Sequence, residues 1–264
     1  MIKITSNITG KEISYNHFFF GGGEQHLQIL DDLGVESVEI FLRYFGDSDI
    51  IKLSLLVDAL RNTGCKSISL KIPYFPAARQ DRICNSGEPF SVKVYSNLIN
   101  NMNFDKVTVF DPHSDVTPAL INNVRVVDNT KFVYDVIDLI DKNNSSQKLI
   151  LVSPDAGSNK KVANVAKYLF KNNCNLPVIR ADKLRNVATG EIIETTVYAD
   201  DLSGKECLIV DDICSKGGTF CALAKVLKEK GASKVYLLVF TTDSKPFVDR
   251  DDSFLSVSNI EKYM

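Results

Sequence analysis

Two adjacent carboxylates and a glycine-rich turn form the stretch of this chain whose residue types point most directly to a chemistry. An apolar, β-branched run from Leu208 leads into Asp211 and Asp212, where we expect the strand to end. A strand that passes into a helix through such a turn can hold a phosphate with its backbone N–H groups. The carboxylates would repel a phosphate and suit ribose hydroxyls or Mg²⁺ instead. The stretch therefore predicts a sugar-phosphate site, whose turn consists of Ser215, Lys216, Gly217, Gly218 and Thr219.

Acidic residues also follow two other predicted strands. Asp111, with His113 close by, comes after the strand Lys106–Phe110, and Asp155 comes after the strand Lys148–Val152. A single acid after a strand is as often a helix cap or a turn former as a functional group. The carboxyl ends of parallel strands converge on one face, so three such ends favour a shared site. A few carboxylates together with substrate phosphates suit Mg²⁺.

Three further groups of residues have both a structural and a functional interpretation. The run from Arg79 to Arg82 could be a solvated loop, or its guanidinium groups could bind polyphosphate and stack on a base. Lys183 and Arg185 could be surface charges, or could stabilise charge that develops during phosphoryl transfer. Phe20 and the glycines before Glu24 could be core and turn residues, or could allow a flat ligand to approach closely. Spacing alone leaves these choices open.

Helical and strand patterns alternate along the chain and predict an α/β fold with mainly parallel sheets flanked by helices. The pattern restarts near Val124–Thr130, so we predict two doubly wound domains, residues 1–126 and 127–264. The C-terminal tail could pack back on the first of them. Residues 181–185 are expected to be a polar connection into a β-flap at 191–199, and the first 13 residues to form one strand. The predicted helices cover 49–62, 92–102, 132–140, 162–170 and a segment that ends at 230.

The composition predicts a folded cytoplasmic protein. Hydrophobic residues make up 44% of the chain and charged residues 24%, which favours a packed core over disorder. The formal net charge of -2 gives no reason to expect nucleic-acid binding. No apolar run approaches the roughly 18 residues of a membrane span, and the first residues do not resemble a signal peptide. The six cysteines lack paired spacing, which favours buried free thiols in a reducing compartment over disulfides or metal ligands.

Five motifs resemble, in the same order, those of the phosphoribosyl pyrophosphate (PRPP) synthetase family. The segment Ile72–Arg82, followed by Glu88–Ser91, is similar to the ATP-binding segment of that family. Asp111-Pro112-His113 and Ser153-Pro154-Asp155 are similar to its metal-site motifs. Asp182–Arg185 resembles the start of its catalytic loop, and Asp211–Thr219 its ribose-5-phosphate loop. The resemblance covers most of the chain and implies two phosphoribosyltransferase-like domains.

The resemblance also implies an activity, the Mg²⁺-dependent transfer of the β,γ-diphosphoryl group of ATP to the C1 hydroxyl of ribose 5-phosphate. Lys183 and Arg185 would then stabilise the transferring phosphates, and His113 and Asp155 would organise Mg²⁺. The residues implied in ATP binding are Phe20, Glu24, Arg79, Gln80, Asp81 and His113.

The acceptor and the assembly are implied in the same way. Asp211 and Asp212 would bind ribose hydroxyls, and the turn Ser215–Thr219 would bind the 5-phosphate. Phe20 and Glu24 could serve the ATP site of a neighbouring subunit, so a homo-oligomer of at least two subunits is expected.

Departures from the family pattern keep other functions open. Gly22 stands where the family usually has an acid that helps to recognise adenine, and Lys216 replaces a small hydroxyl residue. Gly157-Ser158 replaces a glycine pair. The acceptor could therefore be a larger ribose 5-phosphate derivative such as ADP-ribose, or the chain could be a non-catalytic regulatory paralogue. A phosphoribosyltransferase that consumes PRPP would explain the phosphate turn but not the segment Arg79–Arg82.

Overall fold

A computed structural model describes residues 1–31, 37–141, 148–185, 192–215, 217–242 and 254–256. The chain divides into two compact units, Met1–Val127 and Asp128–Tyr263. No helix within the described ranges is long and apolar enough to cross a membrane.

The first unit is a five-stranded sheet with a separate hairpin. The sheet order is β1-β4-β5-β6-β7, in which β1 is an antiparallel edge strand and the other neighbours are parallel. Strands β2 and β3 pair only with each other within the described part of the chain. The elements are β1 (Ile2–Ser6), β2 (Tyr15–Phe19), β3 (Gln25–Ile29), β4 (Ser37–Leu42), α1 (Ser48–Asn62), β5 (Ser67–Ile72), α2 (Ser91–Asn101), β6 (Lys106–Phe110), α3 (Val116–Leu120) and β7 (Val124–Val127).

One apolar core joins the helices of this unit to the sheet. Five apolar residues of α1 recur at helical spacing and are buried, whereas Ile51 is exposed, so this helix packs one face against the core. Val92 and Ile99 of α2 enter the same cluster, together with alternate residues of the strands such as Ile40 and Val107. The buried stripe of α1 consists of Ile50, Leu53, Leu56, Val57 and Leu60.

The second unit is a six-stranded sheet in the order β10-β9-β8-β11-β12-β13. All neighbours are parallel except β10, which pairs antiparallel with β9. The elements are α4 (Thr130–Asp141), β8 (Leu149–Ser153), α5 (Asn159–Lys171), β9 (Val178–Arg185), β10 (Ile192–Val197), β11 (Glu206–Cys214), α6 (Gly218–Glu229), β12 (Lys234–Thr242) and β13 (Phe254–Ser256).

Helices cover both faces of this second sheet. α6 shares a core with Val239 of β12, whereas the next residue, Phe240, contacts Phe132 of α4 with ring centroids 4.7 Å apart. Successive strand residues point to opposite faces, so α4 and α6 lie on opposite sides of the sheet. The rings of Tyr134 and Tyr168, 6.1 Å apart, join α4 to α5. The predicted α/β architecture is confirmed.

Several element boundaries differ from those expected. The first strand ends at Ser6, because its hydroxyl accepts hydrogen bonds from the N–H groups of Ile8 and Thr9 and turns the chain. Residues 181–185 are not a connection but the second half of β9, because β10 pairs with them. The hairpin β2–β3, the short elements α3 and β7, and β13 were not predicted at all.

The cysteines form no disulfides. Cys65, Cys207 and Cys214 are buried, whereas Cys84 and Cys221 are exposed. Burial raises the pKa of the Cys207 thiol to about 11. The Cys207 thiol is therefore protonated at neutral pH and packs as a small apolar side chain.

Candidate active site

The candidate site lies where the strand order of the second sheet reverses. β9 lies on one side of β8 and β11 on the other, so successive connections run in opposite directions across the sheet. Ligands of open α/β sheets bind at the carboxyl ends of the strands at such a switch point. Asp155 follows β8 and Asp211 lies in β11, so both acids belong to this position.

β11 does not end at the acidic pair, contrary to the sequence prediction. Its pairing with β8 stops at Ile209, whereas its pairing with β12 continues to Cys214. β12 therefore supplies the backbone partners that keep the segment around Asp211 and Asp212 extended. On the β8 side, the side chain of Ser158, directly before α5, lies beside Asp211.

Asp155 is held by donors at both of its carboxylate oxygens. The Ser158 N–H donates to Oδ1 at 3.0 Å, and the Ser158 hydroxyl lies 3.1 Å from the same oxygen. The Lys183 ammonium donates to Oδ2. Burial alone would raise the pKa of Asp155, but Lys183 and Ser158 outweigh it and hold that pKa below its ordinary value. Asp155 is therefore an ionised carboxylate at neutral pH.

Asp211 has the opposite electrostatic surroundings. Its Oδ1 lies 3.0 Å from the Ser158 hydroxyl and accepts a hydrogen bond of 3.0 Å from the Asp212 N–H. Burial raises the pKa of Asp211 well above its ordinary value, and the carboxylates of Asp212 and then Asp155 raise it further. A ligand that brings hydroxyl donors or a cation would relieve this crowding.

Two residues of the site were missed by the sequence reasoning, Ser158 and Lys161. Lys161 Nζ lies 3.7 Å from Asp212 Oδ1, and both side chains are largely buried. Ser158 occupies the N-cap position of α5, and Lys161 follows three residues later on the same face of the helix. This spacing, directly after Asp155, was the available signal.

Lys183 reaches the site from the middle of β9. Antiparallel pairing places it opposite Thr195 of β10, so the strand fixes its backbone position. Its side chain is 24% exposed and that of Asp155 is 20% exposed, so the pair is partly shielded from water. Arg185 ends the same strand, and its side chain lies outside the described residues.

The turn Ser215–Thr219 leads directly into α6. Gly217 has a φ of 75°, a region that favours glycine, and occupies the N-cap position. The first N–H groups of a helix have no partner within it, and Gly217 at the N-cap has no side chain to bind them. A Cβ on Gly218 would meet no atom within 4 Å, so the backbone is open to a ligand there. Lys216 lies outside the described residues.

The predicted ATP-binding loop after β5 belongs to the first unit. The Gln80 N–H donates to the Ala77 carbonyl oxygen at 2.8 Å, with Ala77 at a φ of 55°, so the loop turns tightly. The side chains of Arg79 and Gln80 are exposed. Asp81 instead accepts a hydrogen bond of 3.1 Å from Arg82 Nε, and its side chain is almost covered. Arg79, Gln80 and Arg82 are thus exposed polar residues of this loop, and their role in ATP binding stays a prediction.

Phe20 and Glu24 lie at the tip of the β2–β3 hairpin. The Phe20 N–H donates to the Glu24 carbonyl oxygen at 2.9 Å and closes the turn. The Phe20 side chain is 53% exposed and packs against Phe18, with ring centroids 5.3 Å apart. A Cβ on Gly22 would lie 2.5 Å from Glu24 Oε2, so glycine there lets the Glu24 carboxylate fold over the turn. The tip therefore presents one aromatic ring and one carboxylate.

The predicted metal residues fall in different units. Asp111 and His113 follow β6 of the first unit, Asp111 buried at a φ of 40° and His113 exposed. Asp155 belongs to the second unit. Among the residues that the structure describes, no group of three or more His, Cys, Asp or Glu side chains is arranged to hold a metal ion. A metal shared by His113 and Asp155 stays a prediction.

The fold, with acids at the switch point of the second sheet, is of the phosphoribosyltransferase type, and two family models agree. The phosphoribosyl transferase domain matches residues 123–263. The N-terminal domain of ribose phosphate pyrophosphokinase matches residues 3–102. Together the two models cover both units of the chain.

Individual relatives identify the family within this class. A ribose-phosphate pyrophosphokinase of Mycoplasma genitalium is 30% identical over 268 residues, which cover 96% of this chain and 76% of that protein. One from Cereibacter sphaeroides is 36% identical over 194 residues, 72% of this chain and 54% of that protein. The chain belongs to the ribose-phosphate pyrophosphokinase family, and it spans about half the length of the Cereibacter relative.

A solved structure shows the same fold. The phosphoribosylpyrophosphate synthetase of Mycobacterium smegmatis matches with a TM-score of 0.72 at 23% identity. The match covers 89% of this chain and 74% of that one. The fold of this chain has therefore been seen before in a solved structure.

Proposed function

We propose that this protein transfers the β,γ-diphosphoryl group of ATP to the C1 hydroxyl of ribose 5-phosphate, giving PRPP and AMP. The observation that carries the proposal is the charge arrangement at the switch point. There Lys183 is bound to Asp155, and Asp155 is linked through Ser158 to Asp211. A cation for phosphate charge and carboxylates for sugar hydroxyls thus lie side by side.

The acceptor binds to the second unit in this proposal. Asp211 and Asp212 receive hydrogen bonds from ribose hydroxyls, for which carboxylates are strong acceptors. The open N-terminus of α6 after Gly217 binds the 5-phosphate through backbone N–H groups and the positive end of the helix dipole. Ser215, Lys216 and Thr219 complete this phosphate site.

The nucleotide binds to residues of the first unit. The exposed guanidinium of Arg79 and the exposed amide of Gln80 suit polyphosphate and base edges. Asp81 holds Arg82 and shapes the loop. Phe20 supplies a stacking surface and Glu24 an acceptor, which serve the site of a neighbouring subunit in a homo-oligomer. His113 is the last of the residues proposed to bind ATP.

The residues for a metal ion fit Mg²⁺ by the chemistry of their donors. Mg²⁺ prefers carboxylate oxygens, substrate phosphates and water, so Asp155 is the better ligand and the imidazole of His113 the less usual one. Bound Mg²⁺ would neutralise charge on the nucleotide phosphates.

The transfer itself needs position and charge more than covalent help from the protein. The C1 hydroxyl oxygen forms a bond to the β-phosphorus and loses its proton to water, the bond from that phosphorus to the α–β bridging oxygen breaks, and AMP leaves. Lys183 and Arg185 stabilise the negative charge that develops on the transferring oxygens. Asp211 and Asp212 orient the sugar so that its C1 hydroxyl faces the nucleotide.

A substrate panel tests the proposal. The purified chain is incubated with ATP and Mg²⁺ and with ribose 5-phosphate, ribose or ADP-ribose, and products are identified by mass spectrometry. We expect AMP and PRPP from ribose 5-phosphate and no product from ribose, which lacks the phosphate. A preference for ADP-ribose would support the larger acceptor suggested by Lys216. Absence of AMP and of any diphosphorylated sugar would overturn the proposal and favour a non-catalytic paralogue.

A further inference from the structure

Ser158 is the residue through which the two acids of the site are connected. It is only 5% exposed and occupies the N-cap position of α5. Its hydroxyl makes no capping hydrogen bond to its own helix. The hydroxyl lies 3.1 Å from Asp155 Oδ1 and 3.0 Å from Asp211 Oδ1. Its contacts thus serve the site and not the helix.

The bond to Ser158 matters unequally to the two acids. Asp155 keeps two other donors when the hydroxyl is removed, namely the Ser158 N–H at 3.0 Å and the Lys183 ammonium. Asp211 keeps the Asp212 N–H, and its carboxyl group also interacts with the side chain of Asp212, whose charge disfavours a second charge there. Loss of the hydroxyl therefore leaves Asp211 less firmly oriented, while Asp155 stays fixed.

The Ser158 hydroxyl and the Asp212 N–H contact the same oxygen of Asp211. With Oδ1 between the Ser158 hydroxyl and the Asp212 N–H, a ligand hydroxyl meets this acid through Oδ2. The rotation of the carboxyl group is set from the α5 side by Ser158 and from the β11 side by the backbone. This orientation decides where a sugar hydroxyl can bind.

We propose that Ser158 is a positioning residue for the acceptor sugar, which orients Asp211 by its hydroxyl without touching the substrate. This inference rests on the proposed function, because it assigns ribose 5-phosphate to Asp211. It predicts a specific kinetic pattern, in which loss of the hydroxyl weakens use of the sugar and leaves use of the nucleotide almost unchanged.

The test is steady-state kinetics of Ser158→Ala in the full chain. We expect the KM for ribose 5-phosphate to rise about tenfold, the effect of one lost hydrogen bond to a charged group. The KM for Mg-ATP should change by less than about twofold, since Asp155 keeps its other donors. Ser158→Thr, which retains a hydroxyl, should restore most of the affinity for the sugar. Direct titration of ribose 5-phosphate into each variant gives the same comparison without turnover.

Ser96→Ala is the matched control. Its hydroxyl is also buried, but it donates to the backbone carbonyl oxygen of Val92 at 2.8 Å, within α2 of the first unit, and not to an acid of the site. We expect both KM values of this variant to stay near those of the wild type. Ser158→Gly provides a second hydroxyl-free variant if Ser158→Ala does not fold, because a φ of -82° suits any residue.

The outcomes separate this inference from the proposed function. The wild type could make PRPP while the hydroxyl-free variants keep an unchanged KM for ribose 5-phosphate. This result would overturn the role of Ser158 and leave the proposed function in place. Equal rises in both KM values would also overturn this role, since they would indicate a general distortion. A wild-type protein that neither binds ribose 5-phosphate nor makes PRPP would remove both.

Discussion

Asp155 and Asp211 lie on either side of one serine, yet their surroundings shift their pKa values in opposite directions. Lys183 and Ser158 outweigh burial at Asp155 and lower its pKa. Burial, Asp212 and Asp155 all raise the pKa of Asp211. The free site therefore contains one carboxylate with satisfied hydrogen bonds and one crowded carboxyl group, Asp211, which gains more from a new donor.

Lys183→Ala should separate catalysis from folding. We expect kcat to fall about 10²–10³-fold, as when one donor to a developing negative charge is removed. Stability should also fall, by roughly 1–3 kcal/mol, because Asp155 loses its partner at a partly shielded position. Circular dichroism checks the fold and a coupled AMP assay the turnover.

The stability effect of Lys183→Ala should depend on pH. Because Lys183 lowers the pKa of Asp155, its contribution is present above the ordinary Asp value of 3.8 and is lost as the pH falls through the lowered pKa. The variant should thus be most destabilised at neutral pH and match the wild type in strong acid. Lys225→Ala, which removes a side chain 79% exposed, is the control and should change neither turnover nor melting. Normal turnover in Lys183→Ala would show that this lysine is not the catalytic cation.

Among the elements, the junction of β11 with α6 combines a left-handed backbone position with an accessible helix N-terminus. Gly217 and Gly218 are neighbours, but only Gly217 has a positive φ, and only Gly218 is exposed. Gly217 is thus required for the turn, whereas Gly218 leaves the helix N-terminus accessible to a ligand.

This difference predicts different effects of two alanine substitutions. Gly217→Ala should lower stability by about 1–2 kcal/mol because of its left-handed backbone. Gly218→Ala should leave stability unchanged or slightly higher, since its Cβ meets no atom and alanine favours helices. Both should raise the KM for ribose 5-phosphate, and thermal melts with kinetics check the pair. An unchanged KM in Gly218→Ala would mean that the phosphate does not approach this backbone.

The long, regular elements could be predicted from the sequence, because their apolar residues recur with a clear period. The stripe of α1 and the continuous apolar run of β8 are of this kind. The hairpin β2–β3 was missed because Tyr15–Phe19 shows no alternation of apolar and polar residues. Much of this strand is exposed, so it has no buried face that would require one. β7 and β13, of four and three residues, are too short for a pattern and depend on their neighbours in the sheet.

The acids of the site were predictable because they follow strands, but their connection was not. Ser158 is an ordinary residue in sequence, and its role arises only because β8 stops pairing with β11 at Ile209 and leaves Asp211 beside α5. Lys161 likewise belongs to the site only because α5 places it near Asp212. The spacing after Asp155 could mark both residues, but it could not indicate their partners Asp211 and Asp212, which are distant in sequence.

At the scale of the whole molecule, the chain consists of two units with separate cores and separate sets of polar residues. The carboxylates and the phosphate turn belong to Asp128–Tyr263, whereas Arg79, Gln80 and the hairpin belong to Met1–Val127. In our proposal the second unit binds the acceptor and the first binds the nucleotide.

This division predicts that residues 128–264, expressed alone, fold and keep acceptor binding. We expect a cooperative thermal transition, because the fragment keeps a complete sheet with helices on both faces. Calorimetry should detect ribose 5-phosphate, and an assay with ATP should detect no AMP. The Asp211→Ala form of the same fragment is the control and should lose the binding. A fragment that melts without cooperativity would argue that the second unit depends on the first.

The ion pair between Lys183 and Asp155 has a consequence for the order in which ligands arrive. A free divalent ion would have to displace an ammonium group from this carboxylate and leave Lys183 without an anion. An ion that arrives bound to a nucleotide brings phosphate oxygens, which can replace Asp155 as the anionic partner of Lys183. In our proposal, in which Asp155 is a metal ligand, nucleotide and metal therefore enter as one complex, and free metal ions should bind the ligand-free protein poorly.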